Sequence, residues 1–299
     1  MTMRAAAFLL TILLGTAAMA APMTWPELLG RSRPAPTARI AYGADPLQHA
    51  DLWLPPGRGP FPVVLMVHGG CWQTGIAEAD IMDWAAADLA ARGIAVWNIE
   101  YRGVDRPGGG YPGTFHDVAA AADALSTAAK ARRLDPGRVV ALGHSAGGHL
   151  ALWLAARPGL PAASPFHPRA PLALRAAFSL GGLPDLEAAG TPPGDTCGPD
   201  VVARLVGHPS PGRPNVYADT SPAVMTPPRL PVTLVNGSID PIAPPAFAEA
   251  YSARMGGTPR RVVIPGAGHV ELIAPGSRAW AETVRRVEAA LGGGVGTGR

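Results

Sequence analysis

The chain has 299 residues, 47% apolar and 16% charged, with 37 glycines and 34 prolines. Gly and Pro together make up about a quarter of it, above ordinary usage, yet the apolar fraction is that of a globular protein and the glycines follow no fixed period, which excludes collagen-like and disordered chains. The net charge is only +3, and the basic residues, all arginine except Lys130, are scattered rather than clustered. No nucleic-acid footprint is present. The length fits one large α/β domain or two small ones and is ample for a sizeable core.

In chain order, the short basic start ending at Arg4, the apolar run Ala5–Leu14 and the small-residue triplet Ala18-Met19-Ala20 read as a secretory signal peptide cleaved after about Ala20. The expected location is therefore periplasmic or secreted, with no membrane span left after cleavage. Export puts Cys71 and Cys197 in a compartment that permits disulfides, as one bridge or as separate thiols; the sequence leaves both open. Residues 21–38, rich in Pro and Arg, read as a surface-hugging arm. Arg39–Tyr42 and His49–Leu54 predict an antiparallel edge hairpin.

From Val63 the pattern becomes strand, helix, strand, repeated. Strands are predicted at Val63–Val67, Ile94–Ile99, Arg138–Leu142, Leu174–Leu180, Pro231–Val235 and Arg260–Ile264. Helices are predicted at Ala77–Arg92, Thr114–Arg133, Ala146–Ala156, Pro244–Met255 and Ser277–Leu291, followed by a glycine-rich tail at Gly292–Arg299. The alternation implies a mostly parallel sheet with helices on both faces, within one domain over residues 39–291. Gly181–Pro228 breaks the rhythm with many prolines and one short helical stretch at Val201–Val206. It reads as a small lid insertion.

The sharpest motif is Gly143-His144-Ser145-Ala146-Gly147, a G-x-S-x-G sequence between a strand and a helix. That context places a serine on a tight strand-to-helix turn with its Oγ above the sheet. His68-Gly69-Gly70-Cys71-Trp72 follows the strand Val63–Val67 and reads as an oxyanion loop, with the amides of Gly70 and Cys71 joined by that of Ala146 as donors. His68 reads as a brace for this loop. A serine nucleophile needs a base, and the base needs a carboxylate, in the chain order Ser, acid, His. His269, in Gly266-Ala267-Gly268-His269 after the last strand, is the expected base. Asp240, past the strand Pro231–Val235, is the expected acid, with Asp185 as the alternative; Glu271 is expected to point elsewhere. No His/Cys/Asp cluster has metal-ligand spacing, so neither metal nor organic cofactor is expected.

These residues, with Tyr42-Gly43, Asp51–Pro55, Tyr101-Arg102, Gly148-His149 and Val270–Leu272, resemble the α/β-hydrolase superfamily and within it the branch of kynurenine-formamidase-like and feruloyl-esterase-like hydrolases. The resemblance spans about Ile40 to Leu291. It implies an α/β-hydrolase fold, Ser145, Asp240 and His269 as a catalytic triad, and a small-molecule ester substrate shaped by Trp72, Tyr101 and the lid. An amidase, arylformamidase or peptidase with the same triad is the alternative, followed by a lipase and a catalytically silent binding protein.

Overall fold

The computed structural model describes residues 21–168, 170 and 172–292; the leader expected at Met1–Ala20 and the tail beyond Gly292 lie outside them. Eight strands form one sheet in the order β1-β2-β4-β3-β5-β6-β7-β8. β1 (Ala38–Ala41) and β2 (His49–Trp53) pair antiparallel, and β2 pairs antiparallel with β4 (Ala95–Ile99). From there β3 (Phe61–Val67), β5 (Leu134–His144), β6 (Leu174–Leu180), β7 (Val232–Gly237) and β8 (Arg260–Ile264) all run parallel. Parallel pairing puts the loops after β3, β5, β7 and β8 on the same edge of the sheet.

The apolar run in β3 shows how the sheet is covered. Every residue of β3 is buried, but alternate side chains serve opposite faces, as a period of two requires. Val63, Leu65 and Val67 pack with Phe115 and Val118 of α3 (Gly113–Ala128) and with Leu150 and Trp153 of α4 (Ala146–Ala156). Val64 and Met66 pack with Leu89 of α2 (Asp83–Ala91) and with Trp280, Val284 and Val287 of the C-terminal helix, Arg278–Leu291. α4 is buried along its whole length, which suits its apolar sequence.

The expected strands and long helices are present, with shifted ends. β5 begins at Leu134 rather than Arg138, because Leu134 pairs with Phe61 across a register shift in β3. The helix expected from Ala77 is a 3₁₀ turn over Ala79–Met82 before α2 starts. Arg133, at φ 61°, turns the chain into β5, so α3 stops short of it. A helix at Trp25–Leu29, here α1, lies within the stretch read as an arm. No helix among the described residues is long and apolar enough to cross a membrane.

The insertion Gly181–Pro228 is built into the core. Its two short helices, Leu186–Ala189 and Val201–Val206, bury Leu186, Val202, Leu205 and Val206 in the same cluster as α3 and α4. Asp219 pairs with Arg213 at 2.7 Å and accepts the Tyr111 hydroxyl at 3.0 Å, while the Trp153 indole donates to its carbonyl at 2.8 Å. Cys71 and Cys197 form a disulfide with Cα atoms 5.4 Å apart, which ties the insertion to the loop after β3.

Titration of the denatured, unreduced protein is expected to find no free thiol. Because the bridge closes a 126-residue separation, reduction is expected to cost roughly 4–5 kcal/mol of stability on the chain-entropy account, read as a lower urea midpoint.

Candidate active site

Ser145 stands at the junction of β5 and α4 with φ 54° and ψ −123°, a left-handed region that L-residues avoid. The neighbouring glycines make the turn possible by close approach: a Cβ on Gly143 would run into the Gly147 carbonyl, and one on Gly147 into the Val67 and His68 carbonyls. The Ser145 amide donates to the Leu180 carbonyl at 2.8 Å, fastening the turn to β6.

The loops after β7 and β8 bring Asp240 and His269 together. The His269 Nδ1–H donates to Asp240 Oδ2 at 2.6 Å, and Asp240 Oδ1 accepts the amides of Ile242 and Ala243, each at 2.9 Å. Burial pushes the Asp240 carboxyl up, but the hydrogen bond and charge of His269 and those two amides outweigh it and hold the group below its ordinary value. Gly181, after β6, has φ +53°, and a Cβ there would fall 3.0 Å from Asp240 Oδ2 and 3.1 Å from His269 Nδ1. Asp185 is elsewhere: it caps Leu186–Ala189 by accepting the Ala188 amide at 3.2 Å and pairs with Arg254 at 3.3 Å.

The loop after β3 passes through three successive left-handed residues, Gly70 at φ 100°, Cys71 at 52° and Trp72 at 54°. Strain of this kind persists only where the surroundings over-determine it. Here the Trp72 indole N–H donates to His149 Nδ1 at 3.1 Å, the Trp72 carbonyl accepts the Val104 amide at 2.7 Å, and the disulfide holds Cys71. His149 in turn donates Nε2–H to the Thr220 carbonyl at 2.8 Å, and burial pushes its imidazole down to about 4. Beneath the loop, His68 faces Glu100 Oε1 at 2.9 Å and the Gly69 carbonyl at 2.7 Å. Glu100 also accepts the Tyr101 amide at 2.7 Å and the Ala79 amide at 2.8 Å. Burial pushes Glu100 up, but the His68 charge and hydrogen bond, with those amides, hold it below the usual carboxylate range.

A cavity of about 340 Å³ opens at this edge, walled by Gly70, Cys71, His144, Ser145 and His269. Its remaining walls are apolar: Trp25 and Leu29 of α1, Ile76, Ala77, Ile81 and Ile242. Ala146 follows Ser145 as the first residue of α4, so its amide belongs to the open first turn of that helix. Three expectations need correction. Trp72 and Tyr101 do not wall the cavity. Trp72 is fully buried, with its indole on His149, and Tyr101 stacks on the His68 ring at 4.3 Å and donates its hydroxyl to the His68 carbonyl at 3.1 Å. They hold the loop after β3 from beneath. The insertion Gly181–Pro228 likewise sends no residue into the cavity; α1 takes that place.

Sequence reasoning missed α1 and the part played by His144, while Glu271 points away from the Asp240–His269 pair as expected. The signal for α1 is the capping pair in Thr24-Trp25-Pro26-Glu27, where Glu27 accepts the Thr24 amide at 2.6 Å and its hydroxyl at 2.8 Å. His144 donates Nε2–H to the His269 carbonyl at 3.1 Å, with the two rings 4.3 Å apart. Burial, then the neighbouring His269 charge, pushes His144 well below its ordinary value, so it is neutral at pH 7. Glu271 accepts the Met23 amide at 2.6 Å and the Gly268 amide at 3.1 Å.

A mostly parallel sheet covered on both faces, with a serine on a strained strand-to-helix turn at its carboxyl edge, defines the α/β-hydrolase class. Residues 50–255 match BD-FAE, and the chain belongs to that family. It is 30% identical over 259 residues to esterase LipC of Mycobacterium tuberculosis, covering 80% of this chain and 61% of LipC. It is 35% identical over 120 residues to a probable isoprenylcysteine alpha-carbonyl methylesterase of Oryza sativa, covering 38% of this chain and 26% of that one. The chain thus spans less than two thirds of the length of either relative. Among solved structures, a truncated carbohydrate esterase from gut microbiota superposes with a TM-score of 0.70 at 18% identity, over 87% of this chain and 97% of its own. Esterase B of Lactobacillus rhamnosis does so with a TM-score of 0.70 at 21% identity, over 87% and 88%. Both share the fold.

Asp240 and Glu100 carry depressed carboxyls in the folded state. A depressed acid contributes stability that is fully present above its unfolded value, about 3.9–4.3, and is lost as pH falls through its folded value. The urea midpoint is therefore expected to drop below about pH 4, and Glu100→Gln is expected to lower the midpoint at pH 7 while shrinking its fall on acidification.

Proposed function

We propose that the chain is an exported serine carboxylesterase with Ser145 as nucleophile, His269 as general base and Asp240 as the residue that orients the base. The observation that carries this reading is the Asp240–His269 hydrogen bond at 2.6 Å beside a cavity that Ser145 and His269 share. In this reading His269 Nε2 takes the Ser145 proton as Oγ attacks the acyl carbon. The amides of Gly70, Cys71 and Ala146 bind the oxyanion, and His269 returns the proton to the departing alcohol, leaving an acyl-enzyme. Water then attacks the acyl carbon, giving its proton to His269, and the acid leaves as Ser145 recovers its hydrogen. Asp240 fixes the tautomer with the proton on Nδ1 and stabilises the imidazolium that forms at each step. The neutral state of His144 favours the same step, because a second cation 4.3 Å from the His269 ring would oppose its protonation. Ester relatives support the reaction class. The leader pattern at Met1–Ala20 and the Cys71–Cys197 disulfide support export.

A fluorophosphonate probe is expected to label the wild type and not Ser145→Ala. Asp240→Asn is expected to lower kcat by roughly 10³–10⁴, whereas Asp185→Asn, at a carboxylate that binds the Ala188 amide and Arg254 instead of His269, is expected to leave kcat nearly unchanged. A panel of aryl esters, an N-formyl aryl amide and peptide anilides measures the leaving-group class, with the esters expected to turn over fastest. Equal labelling of the wild type and Ser145→Ala, or amides outpacing esters, overturns the reading.

A further inference from the structure

We infer that α1 is a specificity element, in which Trp25 and Leu29 form the wall that receives the alcohol half of an uncharged, apolar ester. This rests on the esterase reading and adds to it the part of the substrate that the wall meets. Trp25 and Leu29 are four residues apart and so share one face of the helix, and both line the cavity that holds Ser145 and His269. Leu28, beside Leu29, is fully buried in the core cluster of α2 and the C-terminal helix, and Trp25 packs against that same cluster.

The helix is anchored at both ends. Ahead of it, the Met23 amide donates to Glu271 Oε1 at 2.6 Å, while Oε2 accepts the Gly268 amide at 3.1 Å, one residue before His269. Behind it, Arg31 donates to the Pro275 carbonyl at 2.8 Å, and the Trp84 indole donates to the Ser32 carbonyl at 3.1 Å. A segment with no task at the site has no need of three such ties. Leu29 is 42% exposed and Ile76 60% exposed although both line the cavity, so the pair forms an apolar mouth.

The chemistry says which half of the ester meets this wall. His269 must hand its proton to the departing oxygen, so the alcohol leaves on the His269 side of Ser145. Trp25 stands edge-on to the His269 ring at 6.5 Å and to the His144 ring at 6.1 Å, on that same side. Among the described residues no Lys, Arg, Asp or Glu side chain lines the cavity, so a charged alcohol would lose its hydration without a partner there.

The test compares the wild type, Trp25→Ala, Trp25→Phe and Leu29→Ala in two ester series. One holds the acetyl group constant and varies the alcohol through methanol, benzyl alcohol and 2-naphthol. The other keeps methanol and varies the acyl chain through acetate, butyrate and hexanoate. Trp25→Ala is expected to lower the 2-naphthyl-to-methyl ratio of kcat/KM about tenfold, the order expected when about two methylenes' worth of apolar contact is lost, with most of the loss in KM. Trp25→Phe is expected to restore most of that ratio, and the acyl-series ratios of Trp25→Ala are expected to run parallel to the wild type's. Leu29→Ala, at a part-exposed site, is expected to move the ratio in the same direction and carries the test if Trp25→Ala does not fold. An equal loss across all alcohols, or a loss that tracks acyl length, overturns the inference while leaving the esterase reading intact. A wild type that cleaves none of these esters removes both.

Discussion

A serine held at φ 54° between a strand and a helix is the constraint on which the rest of this structure depends. Such a residue costs on the order of 1–3 kcal/mol and survives only if its neighbours leave it no alternative. β5 supplies one side of that confinement, lying between β3 and β6 with its last six residues buried. α4 supplies the other, buried from Ala146 to Ala156 and pressed so close to β3 that Gly147 has no room for a side chain. Once this junction lies at the carboxyl edge of a parallel sheet, the loops after β3, β7 and β8 open onto the same edge by topology alone. That is how residues as distant in sequence as Gly70 and His269 come to wall one cavity with Ser145, with Asp240 paired to His269.

Beneath that edge lies a set of buried imidazoles with divided tasks. His68 faces acceptors with both ring nitrogens, the Glu100 carboxylate and the Gly69 carbonyl. His149 also has both engaged, by the Trp72 indole and the Thr220 carbonyl. His144 is bound to the backbone of His269 and has its second nitrogen buried. His269, the member of the set that walls the cavity with Ser145 and pairs with Asp240, engages Nδ1 in its hydrogen bond, which leaves Nε2 for chemistry. Imidazole suits all four places because it can brace a backbone carbonyl or move a proton, and the partner of each nitrogen decides which.

Much of this was legible in the sequence where chemistry dictates spacing. The Gly143–Gly147 motif spans the junction of β5 and α4, and short apolar runs mark the parallel strands to within a few residues. Less legible were features that depend on which way a side chain turns. Trp72 and Tyr101 are neighbours of site residues in sequence, but left-handed backbone at Trp72 sends its indole into the core, and the Tyr101 ring lies flat on His68. The prolines of Gly181–Pro228 suggested a cover, yet its Val and Leu residues complete the core over α3 and α4. At five residues, α1 is too short to show a helical period, and its capping pair is the one local mark it carries.

The match to the BD-FAE family ends at residue 255 and starts at residue 50, so it contains Ser145 and Asp240 but neither His269 nor α1. Those two outer pieces are fastened to each other. One carboxylate, Glu271, binds the backbone of Met23 ahead of α1 and that of Gly268 ahead of His269. On the opposite side, the disulfide binds the Gly70–Trp72 loop to the insertion. His269 and α1 therefore share one anchor, and the Gly70–Trp72 loop has another. A shift of α1 strains the Gly268 amide through Glu271, while the disulfide and the Trp72–His149 bond hold the Gly70–Trp72 loop in place. The positions of α1 and His269 are thus tied to each other through Glu271, and the Gly70–Trp72 loop is held by a separate set of bonds.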